Sequence, residues 1–322
     1  MTRRGEVPPL AVRIVVACPN LSLDRTVEVK RVAPGHVHRA TRVDVRGGGK
    51  GVNVARALKA MGVSASVVGL RAGHTGAAVV GLLEDEGIQT LAVAAEGETR
   101  SCLSIVSGTD VTVFNEPGPH IDAPVWAEFE DRVADRIIGV GAIFVCSGSL
   151  PPGAPPDGAG RLLRRARANG ATTMCDTSTQ QLANALSCDP NLVAPNLAEA
   201  EWLLHGRETE SVTERPGALE RARAAAAELA GRGPGAVLVT AGAAGAVLAH
   251  AQGTTTLEAY EVTVRNPVGA GDCLVAGIAL GLSRGDDLVA AARTGAAMAA
   301  ASCETFAAGE LDPQRVEALL AT

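Results

Sequence analysis

Aromatic side chains are almost missing from this chain: phenylalanine, tryptophan and tyrosine make up 2% of its 322 residues. Lysine is scarce, and no run of Lys or Arg exceeds two residues. Nucleic-acid binding normally draws on basic patches and stacking rings, so that function class is disfavoured. The net charge is −6, so an anionic ligand has to be held by a few local donors. No apolar run reaches the roughly 18 uncharged residues of a membrane-spanning helix, and no membrane role is expected. MTRRGEVPPL at the N-terminus lacks a long apolar core ahead of its prolines, which argues against a signal peptide. Residues 1–10 are expected to form a loose tail. The seven cysteines, at 18, 102, 146, 175, 188, 273 and 303, form no C-x-x-C pair. They read as reduced thiols of a cytoplasmic protein, neither a disulfide frame nor a zinc site.

What is there is a large apolar fraction, 47% hydrophobic against 20% charged, which excludes disorder and supplies a sizeable core. Strand-like and helix-like segments alternate. VRIVVAC (12–18), SASVVGL (64–70), GAIFVCSG (141–148), ATTMCDT (171–177), NLVAPN (191–196) and GAVLVTAG (235–242) read as short buried strands. VNVARALKAMG (52–62), TGAAVVGLLEDEG (75–87), GAGRLLRRARANG (158–170) and LAEAEWLLHG (197–206) read as helices, the first two stopped by glycine at the expected C-terminal position. Such alternation implies an α/β fold: a mainly parallel sheet with helices on both faces. Residues 20–45 and 98–115 break the pattern. They alternate polar and apolar with turns between, and are expected to form hairpins of a small sheet covering one end of the main one.

NPVGAGDCLVAG (266–277) carries the chemistry. Gly269, Ala270 and Gly271 lead into Asp272 and an apolar helical run. A glycine turn at a helix N-terminus presents bare N–H groups and the positive end of the helix dipole, which suits phosphate. A carboxylate there repels phosphate, but it can take a proton from a hydroxyl that attacks phosphorus. The plainer alternative is an aspartate N-cap on a core helix. RGGGKGVNVARAL (46–58) is a second glycine-rich entry to a helix. It is not a Walker A loop, since Lys50 precedes Gly51, and it is not G-x-G-x-x-G. Gly48 and Gly49 offer close backbone approach and Asn53 an amide, a set that suits sugar hydroxyls; tight packing on a sheet is the alternative.

These two stretches resemble the two signatures of the PfkB (ribokinase-like) carbohydrate kinases. The resemblance runs over about residues 11–310 and is strongest to the branch holding 1-phosphofructokinase and tagatose-6-phosphate kinase. ACPNLSLDRTVEV (17–29), GETRSCLSI (97–105), NEPGPHI (115–121), SGSLPPG (147–153), APNLAEAEWL (194–203) and VTAGAAGAVL (239–248) match that branch in order. It implies a single kinase domain spanning 1–322, a three-layer αβα sandwich with a β-sheet lid from 20–45 and 98–115.

The resemblance also implies roles. Asp272 is the catalytic base, with Gly269, Ala270 and Gly271 as the anion hole. Asp24, Gly48, Gly49 and Asn53 contact sugar hydroxyls, and Arg100 holds the phosphate already on the sugar. Ser149 and Asp176 stand on the substrate side. Asn196 and Glu199 position Mg²⁺ through water. Thr240, Gly242 and Gly245 lie where ATP binds. Plainer readings remain beside these: a solvated arginine at 100, a surface acid at 199, a turn residue at 24. Two departures stand out. Ala194 replaces a lysine common before the Pro-Asn of this branch, which removes a cation near the nucleotide. Cys273 replaces a serine after the base, and simple packing is its favoured reading. His36, His38 and Arg39 either help bind the sugar phosphate or face solvent. The implied activity is ATP- and Mg²⁺-dependent phosphorylation of a ketohexose phosphate, fructose 1-phosphate first, in a homodimer paired through its lids. Tagatose 6-phosphate or fructose 6-phosphate as acceptor, then an unphosphorylated sugar or nucleoside, then a non-catalytic sugar-phosphate sensor, are the alternatives.

Overall fold

The computed structural model describes residues 14–108, 110–137, 141–177, 179–206 and 217–322. Residues 1–10, the expected tail, lie outside the described residues, as do the first two residues of the strand expected at 12–18. The strands are β1 (Ile14–Cys18), β2 (Ser22–Glu28), β3 (Arg42–Gly48), β4 (Ala65–Ala72), β5 (Gln89–Ala95), β6 (Arg100–Ser107), β7 (Asp110–Asn115), β8 (Ile143–Ser147), β9 (Thr172–Asp176), β10 (Leu192–Val193), β11 (Val237–Thr240), β12 (Ala246–His250) and β13 (Gly253–Leu257). The helices are α1 (Lys50–Ala60), α2 (Gly73–Asp85), α3 (Ala123–Arg136), α4 (Gly158–Ala168), α5 (Thr179–Leu186), α6 (Leu197–His205), α7 (Ala218–Ala230), α8 (Ala270–Arg284), α9 (Leu288–Cys303) and α10 (Pro313–Leu320).

Nine strands form the main sheet, in the order β13-β12-β11-β10-β9-β8-β1-β4-β5. From β11 to β5 every pairing is parallel. The β11–β12–β13 edge is antiparallel, because a three-residue helical turn at Gly242–Ala244 returns the chain at once. The side-chain period of two divides β1 between two cores. Ile14, Val16 and Cys18 pack with α1, α2, α8, α9 and α10, while Val15 and Ala17 pack with α3 to α7. The expected three layers are therefore present.

The helix carrying the candidate base is held from all sides. Every residue of α8 from Asp272 to Gly281 is buried. It crosses α9 at glycine on glycine: a Cβ on Gly277 would stand 2.5 Å from the Gly295 Cα. Without side chains at the crossing the two backbones touch, so α8 cannot shift without unpacking α9.

Both expected hairpins form, β2 with β3 and β6 with β7. The sequence pattern left open how they join. The structure pairs β2 with β6 in parallel, giving one four-stranded sheet in the order β3-β2-β6-β7. The hairpin also extends past 45. Gly47 and Gly48 are still strand residues, paired with Leu23 and Ser22, so the small sheet runs directly into α1.

Candidate active site

The C-terminal ends of the parallel strands converge on one region, where open α/β sheets bind ligands. The segment after β1 brings Asn20, the end of β8 leads to Ser149, β9 ends on Asp176, β10 leads to Asn196 and β11 ends on Thr240. One face of the small sheet closes over this edge. Its pocket side carries Ser22, Asp24 and Thr26 from β2, Asp44 and Arg46 from β3, and Arg100, Cys102 and Ser104 from β6. These are alternate residues of each strand, all from one face of the sheet. The enclosed cleft measures about 460 Å³. A second cleft of about 720 Å³ lies between the β11–β13 edge and helices α8 and α9, lined by Gly242, Gly245, Tyr260 and small residues such as Ala296 and Ala299. The two clefts share Thr240 and Gly271, so they meet at the glycine turn.

α8 starts at Ala270, two residues ahead of the aspartate. Its N-cap is Gly269, in the left-handed region at φ 87°, with no side-chain cap. The N-cap alternative for Asp272 is thereby excluded. A Cβ on Gly269 would also stand 2.9 Å from the Gly309 backbone nitrogen, so the turn tolerates only glycine there. Asp272 is 3% exposed and its Oδ2 accepts from Asn53 Nδ2 at 2.8 Å. Burial pushes its pKa up to about 7; Asp176 and Asp24 add to the rise, while Lys50 and the Asn53 amide oppose it. A carboxylate poised near neutrality is what a general base needs.

Lys50 was read from sequence only as evidence against a Walker loop, yet it lines the cleft. Its Nζ lies 2.8 Å from Asp176 Oδ1. Burial opposes its charge, but Asp176, Asp272 and Glu199 outweigh that and hold its pKa above the ordinary value. Lys50 thus keeps a cation in the cleft, facing Asp176, Asp272 and Glu199. Asp176 is 4% exposed and is not among the lining residues; it reaches the cleft through Lys50. Gly48 likewise stands behind the site rather than in it. A Cβ there would lie 2.1 Å from the Asp24 carboxylate, so the glycine exists to admit Asp24. Ser22 Oγ donates to Asp24 Oδ1 at 2.5 Å, and burial still raises the Asp24 pKa, against Ser22, Arg56, Arg100 and a Gly49 backbone bond. Gly49, with φ 115°, is the N-cap of α1.

The GETR segment explains how Arg100 is aimed. Glu98 accepts from the His74 and Thr75 N–H groups at 3.1 and 2.9 Å, capping α2 from outside. Thr99 Oγ1 accepts from Ala72 N at 2.8 Å. With the two preceding residues pinned, Arg100 projects into the cleft. Its donors go to the carbonyls of Glu116 and Asn20 at 3.3 and 3.2 Å, and its Nε is buried without a partner. Among the described residues no carboxylate pairs with it, so its charge is available to an anion. Asn20, which sequence reasoning passed over, ties the matched segments together: its Nδ2 donates to Pro117 O at 3.0 Å and to Ser149 Oγ at 3.1 Å.

Asn196 and Glu199 form a capping box on α6, each side chain bonded to the other's backbone N–H at 2.9 Å. Glu199 still borders the cleft, and burial raises its pKa against the pull of Lys50. It is therefore no ordinary surface acid. Among the described residues no cluster of three or more His, Cys, Asp or Glu could hold a metal alone. A single carboxylate facing a phosphate-sized cleft does fit Mg²⁺, which keeps its waters and takes its other ligands from phosphates. Cys273 is fully buried and its thiol is pushed up to about 12, burial being the main cause, so the packing reading holds. His36, His38 and Arg39 sit exposed at the hairpin tip and line neither cleft.

Residues 19–315 match the family described as pfkB family carbohydrate kinase, and the chain belongs to it. It is 32% identical over 320 residues to a 1-phosphofructokinase of Rhodobacter capsulatus, covering 97% of each chain. It is 30% identical over 265 residues to a tagatose-6-phosphate kinase of Staphylococcus epidermidis, covering 82% of this chain and 83% of that one. The phosphofructokinase-2 of Escherichia coli, solved with potassium, superposes with a TM-score of 0.85 at 29% identity over 96% of this chain and 98% of that one.

Proposed function

We propose that the protein transfers the γ-phosphoryl group of ATP to a hydroxyl of a phosphorylated ketohexose, with fructose 1-phosphate as first acceptor and fructose 1,6-bisphosphate as product. The observation that carries this reading is the meeting of two clefts at Gly271 and Thr240, with the buried Asp272 carboxylate beside the junction. One cleft is polar and roofed by the small sheet, as a sugar phosphate requires. The other is lined by small apolar side chains and Tyr260, as a nucleotide base requires.

In this reading Arg100 binds the phosphate already on the sugar, and Asp24, Gly49, Asn53 and Ser149 orient its hydroxyls. Asp272 takes the proton of the acceptor hydroxyl as its oxygen forms the new bond to the γ-phosphorus. The bond from that phosphorus to the bridging oxygen breaks, and ADP leaves. The Gly269–Gly271 amides and Lys50 neutralise charge on the moving group. Thr240, Gly242 and Gly245 line the ATP side. Glu199 and Asn196 would hold Mg²⁺ through water, and the ion would supply positive charge to offset the phosphates. The chain acts as one such domain, lidded by 20–45 and 98–115, and in the cytoplasm, where its seven free thiols stay reduced.

The outer face of the lid supports a homodimer. Val43, Val45 and Phe114 lie there at 48%, 39% and 58% exposure, next to Val27, Leu103 and Ile105 of the central strands. A second copy of this face would cover them.

Tagatose 6-phosphate and fructose 6-phosphate are the next acceptors, favoured by the same Arg100. An unphosphorylated sugar leaves that guanidinium without a ligand, and a sensor has no need of a carboxyl poised near 7. An ADP-release assay with Mg-ATP and fructose 1-phosphate, fructose 6-phosphate, tagatose 6-phosphate, fructose and ribose tests the reading. Turnover confined to a ketohexose phosphate supports it. Preference for a neutral sugar, or no turnover with any acceptor, overturns it.

A further inference from the structure

One polar chain runs from the end of α2 to the base. Arg56, 9% exposed, donates from Nε and Nη2 to the two oxygens of Glu86 at 2.6 and 2.9 Å. Nη2 also donates to the Gly47 carbonyl of the lid strand at 2.6 Å. Nη1 donates to Asn53 Oδ1 at 2.9 Å, and Asn53 Nδ2 reaches Asp272 Oδ2 at 2.8 Å. We propose that Arg56 is a positioning residue of the phosphoryl-transfer site, fixing which end of the Asn53 amide faces the Asp272 carboxylate. The inference rests on the kinase reading above.

The two ends of an amide differ little in shape but are opposite in hydrogen bonding. A guanidinium has donors only and cannot lose its proton. Arg56 therefore forces the amide oxygen towards itself, which leaves the NH₂ for Asp272. Gly309 packs against this residue, since a Cβ there would lie 2.9 Å from the Asn53 Cα, Cβ and Oδ1 atoms. A flipped amide would set an oxygen against the carboxylate, favour its protonated form, and disarm the base. The other charged groups facing Asp272 are Lys50 on α1, Asp24 on β2 and Asp176 at the end of β9, with the thiols of Cys18 and Cys273 held neutral by burial. None of these bonds Asn53, but Arg56 also lowers the Asp24 pKa by its charge, so Arg56→Lys, which keeps the charge, separates that effect from the turn of the amide.

The test compares Arg56→Met, Arg56→Lys and Glu86→Gln with the unaltered enzyme. Acid-limb pKa values come from kcat/KM against pH, and the Asp272 carboxyl carbon is titrated by NMR, assigned with Asp272→Asn. Arg56→Met is expected to raise the midpoint by about one unit, as loss of a hydrogen bond to a charged form does. That is roughly a tenfold loss of kcat/KM at pH 6 which fades by pH 9. Arg56→Lys, with charge but no fork, should recover part of the shift, and Glu86→Gln should show a smaller one. An unmoved midpoint, or a loss equal at every pH, overturns the proposal. If Arg56→Met does not fold, Glu86→Gln decides, because Glu86 is partly exposed and outside both clefts. The NMR titration reads the relay without turnover, so an inactive wild-type enzyme sinks the kinase reading and leaves this one still judged.

Discussion

Asn53 and Asp272 are 219 positions apart in the chain and share a 2.8 Å hydrogen bond inside the fold. Each comes from a glycine-led helix start, α1 and α8, and each start is pressed against the loop at Gly309. The bond opposes the rise that burial imposes on the carboxyl.

Asp272→Asn should abolish turnover, by about 10³-fold or more if the group is the base, while acceptor binding by calorimetry persists. It should also stabilise the fold. The folded pKa, about 7, lies above the ordinary 3.8, so the folded protein holds this proton more tightly than the unfolded chain. The stability this contributes is full below the ordinary value and lost as pH rises through about 7. Asn removes the cost of a buried charge, so thermal melts at pH 8 should show a gain of about 1–3 kcal/mol that shrinks towards pH 4.

Lys50→Met leaves Asp176, Asp272 and Glu199 without their shared cation. A fall in kcat on the order of 10²-fold is expected, with an acid limb moved to higher pH. Because Asp176 is buried, unfolding free energy should drop by about 1–3 kcal/mol. Lys50→Met with Asp176→Asn should regain the stability and not the activity, which denaturant titration and kinetics together resolve.

Arg100→Met should raise KM for a phosphorylated acceptor by about 10²-fold, the scale of charge-assisted bonds. KM for ATP should stay within about twofold, since Arg100 lines the cleft under the small sheet and not the second one. Equal changes in both constants would remove Arg100 from the role of phosphate ligand.

Phe114→Asp places a charge in the apolar outer face of the lid. Light scattering after gel filtration should show a monomer where the unaltered chain gives a dimer, since burying an unpaired carboxylate at an interface is too costly.

The alternation of strands and helices was legible because the parallel strands are buried on both faces and bounded by glycine. Gly62 and Gly87 sit at positive φ just past α1 and α2, as their positions in the sequence suggested. The candidate site was legible where a motif is local, as at Gly269–Asp272. It was not legible where a residue acts through a distant one. Nothing near Asp176 announces Lys50, which lies 126 positions away. Asn20 gathers three segments from as far as Ser149. The parallel β2–β6 pairing has no turn to signal it. Gly48 is ambiguous for a related reason: a glycine that admits a substrate and one that admits a neighbouring carboxylate look alike in one dimension.

The lid strand and the first helix share a single glycine hinge, with Gly48 ending β3 and Lys50 opening α1. Any tilt of the small sheet is therefore levered onto the ammonium group and onto Asn53 three residues later. In the proposed kinase a raised lid would admit water and would pull those two groups out of alignment. An idle nucleotide would then meet solvent only when the machinery is disengaged, a mechanical safeguard against futile hydrolysis.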